Sequence, residues 1–267
     1  MRLQQDIQRV LVVGATGFLG FRVVAALLEA GIEVTALVHP DQEDKLASLA
    51  QRVRVINGDI WNRGSLKGLA RGQQAVIHLV GSTHADPARG LTYQQINLVS
   101  ARNAIGMAIS DGAGNFVLMS VAALPGMLPG NYVLSKRESE TYLKNSGLHW
   151  VIIRPPTLYA PSSNTPLLGA LSLLGIVPPL RWIIGRYVPM SVDVAARGVA
   201  AVVQDVYDLG GRIVHANELR RRARRNAPRG PLMIRPAIAR HSSDADALED
   251  TPFGWSPGAP RRRLRDE

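Results

Sequence analysis

The sequence predicts an α/β fold in which a doubly wound, mostly parallel sheet is covered by helices on both faces. Three observations favour it. Short β-branched runs alternate with longer helical patterns over the first 150 residues, and several of the runs are apolar throughout, as in strands buried on both faces. Glycines also follow the helical patterns, where a left-handed helix cap suits glycine. A chain of 267 residues, of which 46% are hydrophobic, is long enough to bury the core of such a domain.

The elements follow in chain order. Six strands are predicted at VLVV (10–13), VTALV (34–38), VRVIN (53–57), AVIHLV (75–80), NFVLMS (115–120) and HWVIIR (149–154). Helices between them are predicted at about 18–30, 42–50, 63–71, 92–111 and 131–146. The caps are Gly31, Gly112 and Gly147. A proline-rich loop and an apolar stretch then lead to a helix at 191–206 and a last strand, RIVH (212–215).

Charge and composition narrow the class of protein. The net charge is +10, but residues 220–267 carry +6 of it, with 12 Arg against 6 acidic residues, so the basicity does not indicate a nucleic-acid-binding domain. Six prolines and runs of like charge predict a disordered tail there, the alternative being a contact with acidic lipid or nucleic acid. The absence of cysteine excludes disulfides and thiolate metal sites, and no metal site is predicted.

Targeting signals are not evident. The beginning of the chain, MRLQQDIQRV, is too polar for an export signal, so a cytoplasmic location is expected. The most apolar stretch, 166–185, is interrupted by Pro178, Pro179 and Arg181, and therefore no transmembrane helix is predicted.

A glycine-rich turn follows the first strand directly. VLVVGATGFLG places Gly14, Gly17 and Gly20 at the opening of a helix. Such glycines allow a tight turn and let backbone N–H groups approach a pyrophosphate at the positive end of the helix. A purely structural turn is the alternative, but the position predicts a Rossmann-type dinucleotide-binding domain. The other loop residues assigned to the cofactor are Thr16, Phe18 and Leu19.

The end of the second strand bears on the choice of cofactor. His39 stands 19 residues after Gly20, where NAD-binding folds carry an acidic residue for the ribose, and Asp41 follows only after Pro40. Without that carboxylate, NADP is favoured, and NAD is the alternative. Arg22 is either a ligand of the extra phosphate or a solvated residue of the first helical turn.

Two further strand ends carry candidate cofactor contacts. Asp59, in NGDIWN, follows the third strand and either accepts from the adenine amino group or caps the next helix. Gly81, in HLVGS, follows the fourth strand, where it either lets the backbone pass beneath the cofactor or makes a simple turn. Their neighbours Ile60 and Leu79 are assigned to the cofactor with them.

Tyr132 and Lys136, in NYVLSKRESE, lie four residues apart and so share one face of a predicted helix. They are either a proton-transfer pair or two solvated side chains. Together with VLVVGATGFLG, GDI, VIHLVG and RPP, this Tyr-x-x-x-Lys pattern resembles the short-chain dehydrogenase/reductase superfamily over residues 8–217. It looks most like the NAD(P)-binding, epimerase/dehydratase-like members, and FVLMS, YVLSKRESE and GLHWVIIRPPTLYAP are similar to the branch that contains the accessory subunit of respiratory complex I.

The resemblance implies a role for each matching residue. Tyr132 would be the general acid or base, Lys136 would hold the nicotinamide ribose, and Ser120 would orient the substrate carbonyl. Asn97 matches a structural asparagine, and Pro155 would face the nicotinamide. A cation about 4 Å from a phenol contributes about 4 kcal/mol at an effective dielectric of 20, which would lower the tyrosine pKa by roughly three units. Extended members usually carry a second hydroxyl after the serine, whereas this chain reads SVAALPG, so Ser120 either fills the role alone or caps its strand.

The predicted organisation is an NAD(P)-binding Rossmann domain (1–154), a small substrate or partner lobe (155–219) and the tail (220–267). The favoured function is hydride transfer to or from a small or apolar carbonyl or alcohol, which the apolar run LLGALSLLGIVPPL suits. The alternative is a non-catalytic NADP(H)-binding sensor or assembly subunit whose 166–185 stretch docks on a protein partner or a membrane, unless that stretch is buried in the lobe. A nucleotide-sugar epimerase is disfavoured because the lobe is short.

Overall fold

The computed structural model describes residues 6–124, 126–160 and 185–225. Its strands are β1 (Arg9–Val13), β2 (Glu33–Val38), β3 (Arg54–Asn57), β4 (Ala75–His78), β5 (Asn115–Met119), β6 (His149–Arg154), β7 (Leu158–Tyr159), β8 (Met190–Ser191) and β9 (Arg212–His215). Seven of them form one sheet in the order β3-β2-β1-β4-β5-β6-β9, and all of its pairings are parallel. β7 and β8 form a separate parallel pair.

Helices cover both faces of the sheet. They are α1 (Gly20–Glu29), α2 (Ser100–Asp111), α3 (Gly130–Lys144), α4 (Val192–Gln204) and α5 (Ala216–Arg225). α1, α4 and α5 pack together on one face, and α2 and α3 on the other. A π-helical segment, Gln94–Val99, runs directly into α2. Since parallel strands alternate with helices on both sides, the chain has the predicted Rossmann-type α/β fold.

Two of the predicted helices form only 3-10 segments, at Pro40–Arg52 and Arg63–Leu66. The region after residue 63 holds Gly64, Gly68 and Gly72, and each glycine costs a helix about 1 kcal/mol relative to alanine. All seven predicted strands of the main sheet form within two residues of their expected ends. The three cap glycines have left-handed φ angles, at +76° for Gly31 and +79° for both Gly112 and Gly147.

The last helix changes the predicted boundary of the tail. α5 continues six residues past position 219, and its Leu219 and Ala223 are buried. Arg222 binds Glu218 and Asp205, which fixes the polar side of the helix. The rest of the predicted tail, from 226 on, and the apolar stretch up to residue 184 lie outside the described residues. Within the described ranges, no helix has the length and apolarity needed to cross a membrane.

Two helical glycines should respond oppositely to replacement by alanine. A Cβ on Gly198 of α4 would lie 2.7 Å from Leu219 Cδ1 and 2.9 Å from its backbone oxygen, so Gly198→Ala should lower the free energy of unfolding by about 1–3 kcal/mol. A Cβ on Gly106 of α2 meets nothing closer than Arg63 Nη2 at 3.8 Å, so Gly106→Ala should raise it by about 0.5–1 kcal/mol. Urea unfolding measures both, and equal effects would contradict the close packing of α4 on α5.

Candidate active site

The glycine-rich loop forms a tight turn between β1 and α1. Gly14 has φ +99°, and the Gly17 N–H donates to its carbonyl at 3.2 Å. A Cβ on Gly20 would lie 1.8 Å from the Gly14 oxygen, so only glycine allows the helix to start this close. A Cβ on exposed Gly17 would meet nothing closer than 3.4 Å, so the turn itself does not require glycine there. Open space outside Gly17, at a helix N-terminus, is what a dinucleotide pyrophosphate needs.

The other loop residues surround this turn. Thr16 Oγ1 donates to Oε1 of the buried Gln42 at 3.2 Å, which links the loop to the segment after β2. Phe18 is 42% exposed, and Leu19 is half-buried. The guanidinium of Arg22 lies over the Phe18 ring, 5.0 Å from its centroid.

Arg22 is held by two contacts within the protein. Its Nε donates to Asp193 in the first turn of α4 at 3.1 Å, and its Nη1 to the Phe18 carbonyl at 2.8 Å. These contacts engage Nε and Nη1, and a contact between Arg22 and the extra phosphate of NADP stays a prediction. At the end of β2, His39 Nδ1 accepts from the Asp41 backbone N–H at 3.4 Å and starts the following turn. The preference for NADP stays a prediction.

The loops after β3 and β4 carry further residues that the sequence assigns to the cofactor. Asp59 caps its own turn, since its Oδ1 accepts from the Trp61 N–H at 2.9 Å, and Ile60 beside it is buried. Leu79 is half-buried, and its N–H donates to the Val13 carbonyl at 2.9 Å, which brings the loops after β1 and β4 together. A Cβ on Gly14 would lie 3.1 Å from the backbone nitrogen of Val80.

Lys136 is the buried cation of the site. Only 3% of it is exposed, and its Nζ donates to the carbonyls of Val80 (3.0 Å) and Met119 (3.2 Å). Burial lowers the pKa of Lys136 to about 8, while the charge of Glu140 acts in the opposite direction. Gly81 lies directly against the ammonium, because a Cβ there would be 2.5 Å from Nζ. Any side chain at position 81 would therefore displace the lysine.

Asn97 lies beside this lysine in the π-helical segment. Its Nδ2 donates to the Tyr93 carbonyl and to Ser135 Oγ, both at 3.1 Å. Its Oδ1 lies 2.9 Å from the position of a Cβ on Gly81, is buried, and has no hydrogen-bond partner within the described ranges. The asparagine thus ties the segment before α2 to α3.

Tyr132 lies one helical turn before Lys136 on α3 and is 7% exposed. Its ring packs edge-on against that of Tyr93, with centroids 5.9 Å apart, and the Tyr93 hydroxyl donates to the Thr83 carbonyl at 2.8 Å. The two members of the Tyr-x-x-x-Lys pattern are thus buried rather than solvated. They lie at the carboxyl edge of the sheet, where open α/β sheets bind their ligands.

Ser120 belongs to a buried charged network. Its Oγ donates to Glu140 Oε1 at 2.5 Å and accepts from Arg137 Nη1 at 3.1 Å. Arg154, at the end of β6, also binds Glu140 through Nε at 2.9 Å and through Nη2. Burial raises the pKa of Glu140, but the hydrogen bonds from Arg154 and Ser120 and the charges of Arg137 and Arg154 outweigh it, so the pKa is held below its usual value.

The site residues predicted from the sequence do not include Glu140, Arg137 or Arg154. The available signal was the arginine that ends the apolar strand HWVIIR, since a charge there is seldom buried without a partner. Pro155, next to it, is buried, and its carbonyl accepts from the Ala122 N–H at 2.7 Å. The loops after β5 and β6 are thereby joined beside the network.

A glycine turn with open space at a helix N-terminus, directly after the first strand of a parallel sheet, is the arrangement of a dinucleotide-binding protein. A family model described as NAD(P)H-binding matches residues 14–170. The chain belongs to this NAD(P)H-binding family, and it has the fold of the epimerase/dehydratase-like members of the short-chain dehydrogenase/reductase superfamily.

Relatives of known activity match parts of the chain. It is 34% identical over 176 residues to a ceramide reductase of Caulobacter vibrioides. The aligned residues make up 64% of this chain and 52% of that protein. It is 35% identical over 85 residues to a dTDP-glucose 4,6-dehydratase of Mycolicibacterium smegmatis, covering 30% and 26%. The chain thus spans about half or less of the length of these curated relatives. The link to the complex I branch stays a prediction.

A solved structure shows the same fold. UDP-glucuronic acid 4-epimerase from Bacillus cereus, in complex with NAD, has a TM-score of 0.59 and 19% identity to this chain, with 77% of each chain covered. At that identity the likeness establishes the fold alone.

The Glu140 network should make stability depend on acid pH. Because the pKa of Glu140 is lower in the folded than in the unfolded chain, its contribution is present above the ordinary carboxyl value of about 4.3 and is lost as pH falls through the folded value. Glu140→Gln leaves Arg137 and Arg154 without a carboxylate and should cost about 3 kcal/mol at pH 7. The difference from the native chain should shrink below about pH 4.

The control for this prediction is Glu43→Gln. Glu43 is exposed and accepts from Asn57 Nδ2 at 2.6 Å, a bond that the amide oxygen of glutamine can keep. Its replacement should change stability by less than about 0.5 kcal/mol at either pH. Denaturant unfolding at pH 7 and at about pH 3 measures all three proteins, and a pH-independent difference for Glu140→Gln would rule out the ionised network.

Proposed function

We propose that the protein is an NAD(P)-dependent oxidoreductase that transfers hydride to or from a carbonyl or alcohol group of an apolar substrate. Tyr132 acts as the general acid or base, and Lys136 as its activator. The observation that carries the proposal is the buried ammonium of Lys136, one helical turn from Tyr132 at the carboxyl edge of the sheet. An ammonium is kept in such a position at a cost, which catalysis or cofactor binding would explain.

The residues present fit the cofactor. The loop from Gly14 to Gly20 would hold the pyrophosphate, and Lys136 has two of its three N–H donors engaged, which leaves one for a ribose hydroxyl. When bound, NAD(P) supplies the hydride donor or acceptor. Since the pKa of Lys136 is lowered only to about 8, the side chain remains largely protonated at pH 7.

The role of Tyr132 follows from proton balance. During carbonyl reduction its phenol gives a proton to the substrate oxygen, and during alcohol oxidation the phenolate takes that proton back. A neighbouring ammonium stabilises the phenolate and so eases the transfer in both directions. Tyr132 is 7% exposed, and the Tyr93 ring packs against its ring, so little water reaches this side chain.

The substrate class is proposed from two further observations. The ceramide reductase that this chain resembles is named for a lipid with long alkyl chains, and the match covers 64% of this chain. The residues between 166 and 185 are also largely apolar in sequence. A ketone on an apolar chain therefore fits better than a nucleotide-sugar.

A second candidate function is supported by Ser120. Its hydroxyl is engaged with Glu140 and Arg137, and no other hydroxyl follows it before Asn131, so a substrate carbonyl has no evident orienting partner from this loop. This favours a protein that binds NADP(H) without turnover, as a sensor or an assembly subunit. Activity measurements separate it from the first candidate.

Replacing the phenol of Tyr132 tests the catalytic role. Tyr132→Phe should lower the turnover of ketones of graded alkyl chain length by about 10²–10⁴-fold, because the proton donor is lost. NADPH and NADH are titrated by nicotinamide fluorescence. The NADPH affinity of the variant should stay within about twofold of that of the native chain, since the aromatic ring remains. Tyr142→Phe, on the exposed side of the same helix, is the matched control and should change neither. Unchanged turnover in Tyr132→Phe removes the proposed role, and cofactor binding without turnover of any ketone favours the second candidate.

Filling the space outside Gly17 tests the cofactor site. Gly17→Val adds atoms that the turn tolerates, because the new Cβ lies no closer than 3.4 Å to the protein. A pyrophosphate bound on the loop would collide with these atoms. NADPH affinity should fall at least about tenfold, the equivalent of one lost charge-assisted hydrogen bond, with the thermal midpoint little changed. Retained affinity in a folded variant would be incompatible with the pyrophosphate lying on this loop.

A further inference from the structure

A second cleft lies at the amino ends of the strands, whereas the dinucleotide loop lies at their carboxyl ends. It has a volume of about 460 Å³ and is formed where β1, β2 and β3 begin. Leu28, Ile32 and Val34 supply an apolar side. Ligands of parallel α/β sheets bind at the carboxyl ends of the strands, so this cleft is not part of the site described above. Its size is that of a small-molecule pocket.

Four arginines line this cleft, namely Arg9, Arg52, Arg54 and Arg71. All four are exposed, and none of the ion pairs formed within the described ranges includes any of them. The lining contains one acidic residue, Glu33, which faces Arg9 across the β1–β2 pairing without forming an ion pair. Like charges gathered in this way repel one another, and an anion bound among them relieves the repulsion.

A polar floor lies beneath these arginines. Thr35 is 6% exposed and accepts from Gln73 Nε2 at 3.1 Å. The other end of that amide, Oε1, is buried and has no hydrogen-bond partner within the described ranges. That oxygen is shielded even from water, so a molecule in the cleft contacts the arginines and the apolar side rather than this amide.

We propose that this cleft binds a small phosphorylated molecule with a carbon skeleton. The phosphate lies among the arginines, whose guanidinium groups match its oxygens in a bidentate manner. The carbon skeleton contacts Leu28, Ile32 and Val34. This site does not depend on the oxidoreductase proposal.

The test is a calorimetric titration with ribose 5-phosphate, and with inorganic phosphate for comparison. It uses the full chain carrying Gly17→Val, so that the dinucleotide loop cannot take the phosphate. Ribose 5-phosphate should bind more tightly than inorganic phosphate, and its affinity should fall with added salt. Arg54→Gln and Arg71→Gln should each weaken it about tenfold.

Arg212→Gln is the matched control. Arg212 is an exposed arginine at the start of β9, the opposite end strand of the sheet from β3, and its replacement should leave the affinity unchanged. An equal loss in Arg212→Gln, or no loss in Arg54→Gln and Arg71→Gln, overturns the site, because the anion would then be bound by the net positive charge alone. Binding that disappears with Gly17→Val places the phosphate on the dinucleotide loop instead and overturns the second site without affecting the proposed function.

One further outcome defines the ligand class. A ten-nucleotide single-stranded DNA that binds more tightly than ribose 5-phosphate, and loses affinity in Arg54→Gln, overturns the small-molecule class in favour of a nucleic acid.

Discussion

The buried ammonium of Lys136 determines the geometry of the site. Taking such a charge out of water costs several kcal/mol, and the carbonyls of Val80 and Met119 offset part of that cost. Those carbonyls lie at the ends of β4 and β5, so the lysine holds α3 against two neighbouring strands at once. Gly81 must then lack a side chain, and Asn97 must approach from the next helix. Tyr132 is positioned by the same helix and therefore by the same constraint.

α3 carries its polar groups on the buried side. Tyr132, Lys136 and Glu140 follow one another at intervals of four residues and are all buried. A helix of this kind is held by directional hydrogen bonds rather than by an apolar stripe, and such bonds fix its rotation about its own axis. Glu140 also connects it to the end of β6 through Arg154. The network thus orients the helix that carries Tyr132 and Lys136, the proposed proton-transfer pair.

The parts of this arrangement that depend on local sequence were predictable. Apolar β-branched runs indicated the strands, and the glycines after β1 indicated the turn, because both follow from backbone geometry over a few residues. The contact between Arg22 and Asp193 joins residues 171 positions apart, and nothing in the local sequence of either indicates it. The bond between Ser120 and Glu140 is equally hidden in the sequence, because Glu140 is one of several charged residues in the run KRESE. The run RRRARR indicated a disordered tail, although Leu219 and Ala223, four residues apart, follow the spacing of a buried helix face.

The π-helical segment Gln94–Val99 allows one continuous helical run to serve two purposes. Its wider turns accommodate one more residue than an α-helix, so the side chains before and after it are rotated by roughly 100° relative to a regular helix. Asn97 can therefore turn towards Lys136, while Ala101 and Ala104 of α2 still pack into the core. Deleting a single residue from this segment would restore a regular helix and make the two surfaces compete. The core contacts of α2 would be kept, because they bury more atoms. The fold would remain, and the polar contacts of Asn97 would be lost.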